Sequence, residues 1–134
     1  MSSEAQAART PGAKRAGAGE YVFDLANVNK IKGGPGYSSV EGGCVEGDRM
    51  IVALMRMPAG TGAVAHSHPN EQWIYVLEGT LQAKIGEQEV EANPGSVVYV
   101  PSNVVHSAKA TAAADVLFFT VKDASHSLHG TKAG

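Results

Sequence analysis

From residue 50 onward the chain runs in short segments of alternating or mixed apolar character, at 50–57, 72–77, 81–85, 88–92, 96–100, 106–110 and 115–121. Residues two apart on a strand share a face, so each segment predicts a half-buried β-strand. The gaps carry turn chemistry: Pro58-Ala59-Gly60, Glu78-Gly79, Gly86-Glu87, Asn93-Pro94-Gly95 and Ser102-Asn103. Alternation at 21–25 predicts a first short strand, an edge or an exchanged arm. Gly33-Gly34-Pro35-Gly36 follows no strong strand and opens no helix, so it reads as a turn and not as a phosphate loop. No segment has the length and 3.6-residue period of a long helix. Many short strands joined by tight turns predict an all-β sandwich or small barrel, not a parallel α/β sheet.

Composition limits the architecture further. The 134 residues are 43% hydrophobic, enough for one domain with a core. Residues 20–123 are expected to form it, with a disordered tail at 1–19 and another tail at 124–134. The first segment has no apolar run long enough for a signal peptide or membrane span. Arg9, Lys14 and Arg15 would suit a mitochondrial-type presequence, but Glu4, Pro11 and repeated glycines oppose an amphipathic helix there. Eleven basic and thirteen acidic residues leave a net charge of −2 with no long run of either sign. That balance points to a small-molecule partner and away from nucleic acid or a membrane surface. Cys44 is the only cysteine, which excludes an internal disulfide and fits a reducing, cytoplasmic location.

Candidate chemistry centres on His66-Ser67-His68-Pro69-Asn70-Glu71-Gln72. On a strand His66 and His68 share a face, roughly 6.6 Å apart along the chain. Their imidazoles can converge on one ion, each at ~2.1 Å, and Gln72 can turn its amide back toward them. The pair alone equally describes two strand histidines satisfied by neighbouring carbonyls. His106, just after the turn at Pro101-Ser102-Asn103, supplies a third imidazole at the start of another strand.

These residues fall into a pattern that resembles the cupin family. Gly60, His66, His68, Gln72 and Gly79 lie on the family's first motif, with Gln72 where the family has Glu. Gly95, Pro101 and His106 lie on the second, with Asn103 replacing Gly and Ala110 replacing Asn. Asn tolerates left-handed backbone geometry, so the first of those replacements is mild. Fifteen residues separate the motifs, and the resemblance covers about 48–121. It implies a small antiparallel double-stranded β-helix, a jelly-roll barrel, holding one divalent transition metal (Fe, Mn, Co, Ni or Zn) on His66, His68, Gln72 and His106. Even parity then puts Ile74 and Val76 inside and Trp73, Tyr75 and Leu77 outside, against a second sheet or a homodimer partner. Glu71 reads as a solvated turn carboxylate, with a third metal ligand or an acid/base residue as alternatives. His126 and His129 read as part of a solvated tail, with a second metal site or a lid as alternatives.

Three functions fit such a site. Neutral ligands leave the ion's +2 charge uncompensated, favouring an enolate, carboxylate or hydroxide oxygen and so Lewis-acid isomerase or tautomerase chemistry. Similar cupins ketonise unsaturated uronates, but those carry an acidic residue where this chain has Leu117. The second reading is a dioxygenase using Fe, Mn or Ni. The third is a binding module without turnover, whose mark would be the lack of a catalytic carboxylate or lysine beside the ligands.

Overall fold

A computed structural model describes residues 7–133. Twelve strands follow one another: β1 (Lys14–Arg15), β2 (Ile31–Lys32), β3 (Glu41–Glu46), β4 (Met50–Met57), β5 (Gly62–Ser67), β6 (Gln72–Glu78), β7 (Leu81–Ile85), β8 (Gln88–Ala92), β9 (Val97–Val100), β10 (His106–Ala110), β11 (Val116–Asp123) and β12 (Thr131–Lys132). They form two sheets, one in the order β1-β3-β4-β11-β6-β9 with β2 added to β3, the other β12-β5-β10-β7-β8. All pairings are antiparallel except β1 with β3. This is the all-β architecture that the spacing of apolar runs and turns predicts, in the jelly-roll form that the family resemblance implies. No helix among the described residues is long and apolar enough to cross a membrane.

Side-chain alternation builds the core directly. Ile51, Ala53, Met55 and Met57 of β4 face Val116 and Phe118 of β11, with Ile74, Val76, Val98, Val100 and Leu81 closing the cluster. Burying each large aliphatic side chain contributes roughly 1.5–3 kcal/mol. Trp73, Tyr75 and Leu77, on the opposite parity of β6, are more than 40% exposed. Asn103 has a φ of 63°, the left-handed conformation its turn demands.

The segment 21–25 forms no strand, and Tyr21 and Val22 lie in solvent. Asp24 O instead accepts from Asn27 N and Val28 N at 3.0 and 2.8 Å. Asn29 then takes both backbone groups of Cys44 with its side-chain amide. The strand beside this turn is Glu41–Glu46, which alternation did not mark because Gly42 and Gly43 interrupt the apolar pattern. Both glycines are demanded by crowding: a Cβ at Gly42 would lie 1.9 Å from Leu54 O, and one at Gly43 1.7 Å from Leu25 O.

The two segments read as tails differ most from expectation. Residues 1–6 and 134 lie outside the described residues. Within 7–19, Glu46 accepts hydrogen bonds from Arg9 N (2.6 Å) and Thr10 N (2.9 Å), and Thr10 is fully buried. Residues 124–133 form a strap over one end of the barrel. Asn70 Nδ2 donates to the carbonyls of Asp123 and Ser127, both at 3.0 Å; Leu128 N donates to Thr10 Oγ1, and β12 pairs with β5 at His66 and Ser67. Side-chain-to-backbone bonds hold both ends in place, where composition suggested solvated chain.

Candidate metal centre

His66 is the penultimate residue of β5, His68 follows the strand, Gln72 opens β6 and His106 opens β10, directly opposite His66 in the β5–β10 register. All four side chains are buried, and one ring nitrogen from each of the three histidines lies within 4.8 Å of the others. Ring centroids are 4.2 Å apart for His66 and His106 and 4.8 Å for His68 and His106.

Hydrogen bonds decide which nitrogens face inward. The Nδ1 atoms of His66, His68 and His106 lie 2.7, 2.9 and 2.9 Å from the carbonyls of Val64, Asn70 and Val104. A carbonyl only accepts, so each Nδ1 carries the proton and each Nε2 presents a lone pair to the centre. Burial pushes His66 down to about 4 and His68 to about 3, and lowers His106 as well. The imidazoles are therefore neutral near pH 7, the form that binds metal.

Thr120 settles the orientation of Gln72. Its hydroxyl donates to Trp73 O at 2.8 Å, so it can only accept from Gln72 Nε2, at 2.9 Å. Gln72 Oε1 consequently faces the histidines, 3.1 Å from His68 Nε2. Two lone-pair atoms thus confront each other, and His106 Nε2 is buried without a partner. A cation between them resolves the conflict. Two ligand atoms ~2.1 Å from one ion and at right angles to each other are ~3.0 Å apart. The donor set fits a divalent metal.

Glu71 does not join the cluster. Its exposed carboxylate accepts from Tyr99 O–H, and its backbone N–H is held by Asp123 Oδ2. His126 is exposed, and His129 Nε2 meets Lys32 O at 3.0 Å, so among the described residues no second metal group forms.

Sequence reading missed Lys122. It lies on the inward parity of β11, cross-strand from Gln72, 4% exposed, and donates to Leu128 O. Burial pushes its amine down to about 7, and its charge acts on all three histidines. Extending the β11 alternation past Val121 through Phe118, Thr120 and Lys122 would have found it. Tyr37, packed against His66 with ring centroids 4.4 Å apart, was also missed; its hydroxyl oxygen accepts from Gly130 N–H. With His66, Gln72, His106, Thr120, Lys122 and Leu128 it surrounds a cavity of about 60 Å³. A wider concavity of about 760 Å³ lies over the β5–β10–β7–β8 sheet and includes none of these histidines.

Comparison with known proteins agrees with this geometry. A family model described as a cupin domain matches residues 53–122, just over half the chain, and the protein belongs to the cupin family. It is similar to quercetin 2,3-dioxygenase of Bacillus subtilis, 37% identical over 60 residues, which is 44% of this chain and 18% of that enzyme. The chain spans well under two thirds of the length of the curated relatives it matches. Among solved structures it resembles the polyketide cyclase RemF from Streptomyces resistomycificus (TM-score 0.67, 20% identity, 77% of this chain and 78% of that one). It also resembles a predicted oxalate decarboxylase from Thermotoga maritima (TM-score 0.61, 22% identity, 70% and 89%).

Proposed function

We propose that the protein is a metal-dependent enzyme that isomerises or tautomerises a small oxygenated substrate by Lewis-acid chemistry. One observation carries this reading: among the described residues the donor set and the cavity around it include no carboxylate, only neutral ligands and a buried lysine. His66, His68, His106 and Gln72 would hold an Fe, Mn, Co, Ni or Zn ion, which supplies positive charge at a substrate oxygen. The chain's own part is positional. The carbonyls of Val64, Asn70 and Val104 hold the imidazoles in one tautomer, Thr120 holds the Gln72 oxygen inward, and Leu128 of the strap lines the cavity beside them. Lys122 beside the ligands counts against a binding module without turnover, whose mark would be the absence of such a group.

The similarity to quercetin 2,3-dioxygenase supports the alternative, a cupin dioxygenase using Fe, Mn or Ni. Oxygen dependence separates the two. Metal-loaded protein is incubated with enolisable keto acids and keto sugars, and with polyphenols, in air and under strict anaerobiosis. Turnover without O2 is the expected result; product formation that consumes O2 and stops anaerobically would establish the dioxygenase instead. Within this reading the exposed faces of Trp73, Tyr75 and Tyr99 pair two copies of the chain.

A further inference from the structure

The cavity beside the histidines is too small for its purpose. About 60 Å³ accommodates roughly two waters, whereas small-molecule sites enclose roughly 300–1,000 Å³. The strap, 124–133, covers part of it. Leu128, 3% exposed, lines the cavity, and its carbonyl is the acceptor for Lys122 Nζ. The strap's own strand, β12, is two residues long and lies at the edge of its sheet, the arrangement easiest to peel.

Lifting the strap takes away the hydrogen-bond partner of Lys122. An ammonium has three donors, and here one acceptor serves it while no carboxylate lines the cavity among the described residues. A divalent ion on neutral ligands adds further positive charge a few side chains away. The centre as a whole is short of negative charge, and an incoming anion would supply it.

We infer that Lys122 is the anion-holding residue of this site: when the strap lifts, its amine exchanges the Leu128 carbonyl for an anionic oxygen of a small 2-oxo or 2-hydroxy carboxylate. This rests on the metal reading above and adds to it the substrate's charge. It also explains Gln72, since a carboxylate at that position, cross-strand from Lys122, would pair with the amine and occupy it.

The test uses full-length, zinc-loaded protein titrated calorimetrically with pyruvate and with its neutral counterpart pyruvamide. Lys122→Met should weaken pyruvate binding ten- to a hundredfold and leave pyruvamide binding unchanged. Lys122→Gln, a second substitution in case methionine disturbs folding, should do the same. Metal content is measured on every sample. Wild-type protein that takes up no zinc refutes the metal reading and this inference together; zinc-loaded variants that bind pyruvate as the wild type does refute the inference alone. Hydrogen exchange reports on the route of entry. The amides of Leu128 and Ala133 should exchange much faster than those of β4, and equal protection would contradict an opening strap.

Discussion

Replacing Thr120 with valine removes one hydroxyl and preserves shape, so it isolates the bond that orients Gln72. Thr120 is 1% exposed, accepts from Gln72 Nε2 at 2.9 Å and donates to Trp73 O at 2.8 Å. The substitution leaves a buried amide donor unpaired, a loss of about 1–3 kcal/mol. At ~2.1 cal/mol/K per residue the unfolding entropy of a chain this long is ~0.28 kcal/mol/K, so a 2 kcal/mol loss lowers Tm by ~7 °C. Gln72 would also be free to turn its NH2 toward His68, presenting a donor where a ligand is needed. Metal affinity should fall ~10–100-fold, as for other residues that orient a ligand. Calorimetry on metal-free protein and competitive chelator titration read the two effects separately. Thr120→Ser keeps the hydroxyl and should restore metal affinity. If Thr120→Val melts with the wild type and binds metal with unchanged affinity, the amide orientation argued here is wrong.

Other perturbations have equally definite outcomes. Lys122→Met should raise the Tm of the metal-free protein near pH 7, because the burial that pushes the amine from 10.5 down to about 7 costs the folded state stability that an apolar side chain does not lose; a lower Tm would show that the Lys122–Leu128 contact is a net stabiliser. Gln72→Glu should retain metal yet weaken pyruvate binding, since the new carboxylate reduces the centre's positive charge; tighter pyruvate binding would defeat the charge argument. Trp73→Lys, on the exposed face where Trp73 stacks on Tyr99 at 4.6 Å, should convert a dimer to a monomer in sedimentation. Wild-type protein that is monomeric at micromolar concentration would remove that proposal.

Legibility of the sequence followed the strength of its local signals. Strands with regular alternation, such as β4 and β6, were readable because burial on one face imposes a two-residue period. β3 was not, since its two glycines answer to backbone crowding and carry no hydrophobic signal. Three histidines at motif spacing were readable as a group. The means of fixing their tautomers was not, because the Val64, Asn70 and Val104 carbonyls belong to any sequence. Lys122 escaped notice for a different reason: a charged residue after Val121 reads as the end of a strand, whereas β11 continues to Asp123 and turns the lysine inward. The strap at 124–133 is held by Asn70 and Thr10, both distant in sequence, as well as by nearby Lys122, so local composition suggested only a tail.

The central claim is that His66, His68 and His106 converge on a divalent metal, and metal content measures it most directly. Protein purified without added metal, then reconstituted and analysed by plasma mass spectrometry, should hold about one divalent transition-metal ion per chain. His66→Ala and His106→Ala, checked for folding by circular dichroism, should each lose it. A folded wild type that holds none after reconstitution, or histidine variants that retain full occupancy, would contradict the account.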